Sequence, residues 1–159
     1  TMSSTLYVDK VVEKTSAAGV HIPGHVTQQI TLTSSTVVVT TATTFTGFGC
    51  SQAFTPKYAT SKILITANIA GENYGHNDLG TRYEILQDST QLHYFPYVGY
   101  LSASSSQNIS PHNLQWSGNA GSTSARTYQV KIASSRAGYS SRVNNYNGPS
   151  YMTIQEIAQ

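Results

Sequence analysis

In the segment TPKYATSKILITANIAG, residues 55–71, Ile63, Ile65, Ala67 and Ile69 alternate with Lys62, Leu64, Thr66 and Asn68. A period of two places the first four side chains on one face of a strand and the second four on the other. No window of the chain carries a sustained 3.6-residue apolar period with caps. The nearest helical candidate, DKVVEKTSAAG, is short, and its adjacent β-branched Val11 and Val12 favour an extended reading. A chain with this pattern has to bury itself as sheets.

The same alternation recurs downstream of Thr27. QQITLT places Ile30 and Leu32 on one face, GFGCSQAFT alternates Phe48, Cys50, Gln52 and Phe54, and TYQVKIAS aligns Tyr128, Val130 and Ile132. TVVVTTATTF is a β-branched run suited to a pleated surface. TRYEILQDSTQLHYF reads as a hairpin turning at Asp88 to Thr90, ENYGHNDLG and SASSSQNISPHN read as polar loops, and LQW starts a short strand. Eight to ten short strands joined by Gly-, Ser- and Asn-rich loops predict an all-β fold. Residues 28–159 are expected to form an antiparallel two-sheet sandwich, jelly-roll-like. No repeat of 20 to 50 residues points to a propeller or solenoid.

Two segments do not fit a plain sandwich. Residues 1–27 hold only short apolar pieces, Leu6, Tyr7 and Val8, then Val11 and Val12, then Val20 and Ile22, separated by TSAAG and PG. Each piece is too small to bury itself, so an extended N-terminal arm needing another surface is expected, for assembly or anchoring. Thr1 ahead of Met2 fits a full-length chain that has lost an initiator Met, or a segment left from cloning. At the other end, Met152, Ile154, Glu156 and Ala158 share one parity. If that set faces the core, Glu156 is buried. Either a bulge near Gln155 turns it outward, the favoured reading, or it meets a cation of a neighbouring subunit in an ion pair.

Charge narrows the function. Nine Lys and Arg and seven Asp and Glu in 159 residues give a net charge of +2. The basic residues are scattered, so no clustered footprint for nucleic acid is present. Nothing approaches 18 consecutive apolar residues, and no span for a membrane is expected. Ser and Thr together number 41. A hydroxyl surface desolvates at less cost than an ionic one and suits contact between chains. Cys50 is single, which excludes an intrachain disulfide and fits a small buried hydrophobe.

Chemistry-bearing patterns are sparse. There is no G-x-S-x-G, P-loop or H-E-x-x-H motif, and no cofactor pattern. Glu84 and Asp88 are evenly spaced on one hairpin arm, which ordinary solvation explains. His21 and His25 have metal-like spacing only on a helix, and Pro23 and Gly24 lie between them. No catalytic, metal or cofactor site is expected. The aromatics say more: HYFPYVGY gathers Tyr94, Phe95, Tyr97 and Tyr100, and Trp116 follows. In strict alternation Tyr94 opposes Phe95, so some rings must leave the core. Tyr94, Tyr97, Tyr100 and Trp116 are candidates for a subunit contact or for stacking on a glycan.

The stretch TGFGCSQAFTPKYATSKILITANI resembles a segment of virion proteins of tailed phages, cyanophages and other marine phages especially. The matching residues are Thr46 and Gly47, then Pro56 and Lys57, then Ser61, Lys62, Ile63 and Leu64. The chain end is similar too, through Glu156, Ile157 and Ala158, and SSTLYVDKVVEKTSAAGVHIPG resembles the arms that begin such proteins. The resemblance implies a jelly-roll homotrimer on a virion. With no long shaft in the sequence, a capsid decoration (cement) protein is expected, its arm lying on the major capsid protein. A receptor-binding fibre tip recognising host surface glycan is the alternative. Lys57 and Lys62 are then expected to discourage stray strand pairing, or to meet acidic capsid surface.

Overall fold

The computed structural model describes residues 22–101, 107–146 and 148–159. The run from Lys62 is its central strand. All four predicted inward residues, Ile63, Ile65, Ala67 and Ile69, are buried. Four such side chains stabilise the fold by roughly 1.5–3 kcal/mol each where the side chain is large. The strand does not stop at Asn68; it runs from Lys62 to Tyr74, taking in Glu72 and Asn73 of the expected loop.

Ten strands are present among the described residues, and no helix. They are β1 (Val26–Ser34), β2 (Val38–Thr40), β3 (Thr46–Phe54), β4 (Lys62–Tyr74), β5 (Leu79–Gln87), β6 (Thr90–Leu101), β7 (Gln107–Asn119), β8 (Arg126–Ser134), β9 (Ser140–Val143) and β10 (Ser150–Ile157). One sheet has the order β1-β10-β4-β9-β2, with β7 along the other side of β4; the second has the order β3-β8-β5-β6. All pairings are antiparallel. This is the expected two-sheet sandwich. Its core is the layer between the sheets: Phe48, Cys50, Tyr83, Tyr128 and Ile132 of the four-stranded sheet meet Ile63, Ile65, Leu114, Met152 and Ile154 of the six-stranded one.

The long central strand explains the layout. Residues 62–68 of β4 pair with β10, and residues 71–74 pair with β9 on that same side. Its other side is covered by β7 over all 13 residues. SASSSQNISPHN is therefore not a loop throughout: from Gln107 it is strand, held by β4 although its own apolar pattern is weak. Both β6 and β7 end their sheets on one flank of the sandwich. Between the two sheets on that flank, Leu92, Phe95, Val98 and Trp116 lie half-buried against the core.

The bulge expected near Gln155 is absent. Strand β10 keeps unbroken register with β4 from Tyr151 to Ile157, and the irregularity in this region lies on β1, between Val26 and Gln28. Glu156 thus keeps the parity of Met152 and Ile154 and is fully buried. Donors from the turn after β3 and from β1 offset the cost of that burial.

Candidate functional site

Glu156 projects toward the turn that follows β3. The backbone N–H of Lys57 donates to its Oε2 and that of Tyr58 to its Oε1, each at 2.9 Å. The Gln28 side-chain amide donates to Oε2 at 2.6 Å. Burial alone would raise the pKa of this carboxyl. The N–H groups of Lys57 and Tyr58, with the Gln28 amide, outweigh that and hold it below the usual carboxylate range. A buried carboxylate is tolerated when donors converge on it. Its acceptors are met inside its own chain, so the geometry requires neither a bulge nor a neighbour's cation. What Lys57 contributes here is its backbone N–H.

The predicted aromatic cluster separates into two parts. Trp116 lies opposite Ile65 on the inner side of β7, half-buried against the core. Tyr94, Tyr97 and Tyr100 stand exposed along β6, at 38%, 61% and 51%. Pairing with β5 explains their spacing of three. Leu79, Thr81 and Tyr83, two residues apart, oppose Leu101, Val98 and Phe95, three apart. Each outward β5 position between them, Gly80 or Arg82, faces two β6 residues, Gly99 with Tyr100 or Pro96 with Tyr97. These are two successive β-bulges, which re-aim side chains without ending the pairing. Gly99 has φ 63°, a conformation that suits glycine, and Pro96 occupies the kind of bulged edge position where proline is tolerated.

The result is a sorted strand. Phe95, Val98 and Leu101 face inward, while a tyrosine stands outward immediately before each. The β5 step sets the tyrosines about 7 Å apart. Tyr94 is steadied edge-on by Phe45 at 6.1 Å, and the Arg82 guanidinium lies over Phe45 at 5.8 Å. Tyr97 lies over Gly80, where a Cβ would sit only 3.0 Å from its ring. The Tyr100 hydroxyl donates to the Asp78 carboxylate.

A buried polar network anchors the second bulge. Asn73 on β4 donates through Nδ2 to the Gly99 carbonyl at 2.5 Å, and its Oδ1 accepts from Thr81 at 2.8 Å and from Ser141 at 3.0 Å. His112 on β7 fills the space between Gly71 and Gly99, and its Nδ1 shares a 2.7 Å hydrogen bond with the Tyr83 hydroxyl. Burial lowers the His112 pKa to about 4 and raises that of Tyr83. Sequence reading did not find His112 or Asn73; a polar residue in an apparent loop carries no signal of burial.

Further along β4, Glu72 accepts from Arg142 at 3.0 Å, Gln107 at 2.7 Å and Asn145 at 2.9 Å. These contacts tie β9 and β7 to the end of β4. Burial pushes the Cys50 thiol up to about 12, which keeps it protonated. No group of three or more His, Cys, Asp or Glu able to hold a metal exists among the described residues. Of the arm residues, Ile22 is half-exposed just before β1; Leu6, Tyr7, Val8, Val11, Val12 and Val20, with His21, lie outside the described residues.

No protein-family model matches the chain, and no curated protein matches it. Among solved structures it is similar to a chain from infectious bursal disease virus Gt strain, at 12% identity and a TM-score of 0.39, over 99% of this chain and 43% of that one. It is similar likewise to a chain from the Gx strain, at 11% identity and a TM-score of 0.42, over 99% of this chain and 42% of the other. The VP2 subviral particle of that virus gives 12% identity, a TM-score of 0.39 and coverages of 99% and 43%. The chain spans less than half the length of these chains. Likeness at this level assigns it no function and no partner.

Proposed function

We propose that this chain is a structural protein of a phage virion: a trimeric capsid decoration protein with no enzymatic role. Residues 1–27 engage the major capsid protein, and the tyrosine row on β6 makes the contact between copies. The row is the observation that carries this reading. Three rigid, uncharged aromatic side chains on one edge strand form the kind of surface that supplies hot spots in interfaces. Two bulges and a proline make the same edge a poor template for stray strand pairing, which leaves face-on contact as the mode it favours.

A second support comes from the resemblance to tailed-phage virion proteins. Two of its parts, the Pro56–Lys57 turn and the closing Glu156-Ile157-Ala158, are 98 or more residues apart in sequence yet form one hydrogen-bonded unit. A physical partnership between two segments gives a reason for them to occur together. The sparse charge adds a third support, since little ionic surface must be desolvated when copies pack.

The competing reading is a fibre tip recognising host surface glycan, with the exposed tyrosines as its stacking surface. Imaging of the particle that carries this chain separates the two. A decoration protein occupies the head in tens to hundreds of copies, and heads lacking it break at lower temperature. Copies confined to a tail or fibre end, with purified protein adsorbing to cells, would replace the proposal by its competitor. Deletion of residues 1–27 is expected to abolish head binding; normal decoration by that variant removes the arm from the account.

A further inference from the structure

We infer that the outer face of the six-stranded sheet carries a binding site for a neutral pyranose, centred on Asn68, Asn113 and Tyr151 and separate from the tyrosine row. This inference holds for a decoration protein and for a fibre tip alike.

Pairing builds the site as a grid. On one row Tyr151 of β10 opposes Asn68 of β4, which opposes Asn113 of β7. On the next row Thr153 opposes Thr66, which opposes Gln115. Columns lie about 4.8 Å apart and rows about 7 Å apart. These side chains line a depression of about 360 Å³, within the range of small-ligand sites. That suits one or two sugar rings.

The chemistry of the lining selects the ligand. No carboxylate, ammonium, guanidinium or imidazole is among the lining residues. A phosphate backbone or an acidic sugar finds no cation there; of the apolar lining residues Ala67 and Leu114 are buried, which leaves Tyr151 as the one large exposed ring. A pyranose instead offers one apolar C–H face and a rim of hydroxyls, each both donor and acceptor. Tyr151, 45% exposed, supplies a ring for that face.

The amides suit the rim. Asn68 Nδ2 donates to Asn113 Oδ1 at 2.7 Å. This bond orients both groups and leaves the Asn68 carbonyl oxygen as acceptor beside the Asn113 NH2 as donor. Two vicinal hydroxyls can donate to the first and accept from the second. At the edge of the depression Thr153 bonds Thr31 at 2.9 Å, and beyond it Gln155 bonds Gln29 at 2.6 Å. The Asn68 carbonyl oxygen and the Asn113 NH2 remain for a ligand inside the depression.

The test is an NMR titration of the full chain with maltotriose, cellotriose, mannotriose, chitotriose and lactose, and with sialyllactose as the anionic counterpart. At least one neutral sugar is expected to give saturable shifts confined to β10, β4 and β7. Tyr151→Ala and Asn113→Ala should each weaken that binding at least about tenfold, while Tyr97→Ala leaves it unchanged. Gln115→Ala, at an exposed position, serves as a second probe if either variant folds poorly. Absence of shifts for every neutral sugar up to its solubility overturns the inference. So does binding that survives Tyr151→Ala and Gln115→Ala, that is lost in Tyr97→Ala, or that is as tight for sialyllactose as for lactose.

Discussion

The backbone N–H of Lys57 lies 2.9 Å from Oε2 of Glu156, a residue 99 positions later in the chain. The contact joins the turn before the central strand to the end of the last strand. It also explains how a glutamate can occupy a core-facing position in β10. The charge is matched by backbone dipoles and an amide rather than by another ion, so the site needs no second buried charge.

Replacing Glu156 should therefore be costly. Glu156→Ala leaves the N–H groups of Lys57 and Tyr58 and the Gln28 amide without their acceptor, and is expected to lower unfolding free energy by about 3 kcal/mol or more. Glu156→Gln keeps one acceptor oxygen and should cost about half as much. Urea unfolding of the two variants beside the parent measures both. A loss below about 0.5 kcal/mol for Glu156→Ala would mean that the clasp contributes nothing.

Acid should weaken the fold in two stages. His112 is held neutral, with its pKa lowered to about 4 from an ordinary 6.5. The unfolded chain takes up that proton first, so the stability tied to His112 is complete above pH 6.5. It is lost as pH falls toward 4, on the order of 3 kcal/mol in all. Glu156, whose pKa is depressed, contributes stability that is present above its ordinary 4.5 and lost as pH falls through its lower folded value. Urea midpoints between pH 7.5 and 3 should show both declines. The upper one should be missing in His112→Gln; an unchanged slope in that variant would contradict the assignment.

Gly71 and His112 should behave as a pair. A Cβ on Gly71 would sit 2.3 Å from His112 Nδ1, and the buried ring cannot swing aside. Gly71→Ala is expected to destabilise by more than about 2 kcal/mol. In a His112→Ala background the same substitution should cost much less, because the space has been vacated. A double-mutant cycle measures the coupling. Additive losses would show that the ring is not what excludes a side chain at position 71.

How far the sequence reveals this fold varies by residue. Ile63 through Ile69 and Tyr128 through Ile132 are legible, because each strand is buried on one face and its pattern records that face. Strand β7 is legible only from Leu114 to Trp116, since Gln107, Ser110 and Asn113 look like loop residues and Pro111 like a break. Its conformation is imposed by pairing with β4. The tyrosine row is hidden for a different reason: a spacing of three contradicts strand period until bulges at Pro96 and Gly99 are supplied. Glu156 shows its inward parity plainly, but its donors come from a turn that no local pattern connects to it. The grid of Tyr151, Asn68 and Asn113 depends on register between three distant strands.

Assembly through the tyrosine row is the central claim, and the mass of the particle in solution tests it most directly. Sedimentation equilibrium of the full chain at micromolar concentration should give three times the mass of one chain. Conversion of Tyr94, Tyr97 and Tyr100 to Ser should return it to one, with the β-sheet circular dichroism spectrum retained. A parent chain that sediments as a monomer, or a triple variant that remains trimeric, would contradict the account.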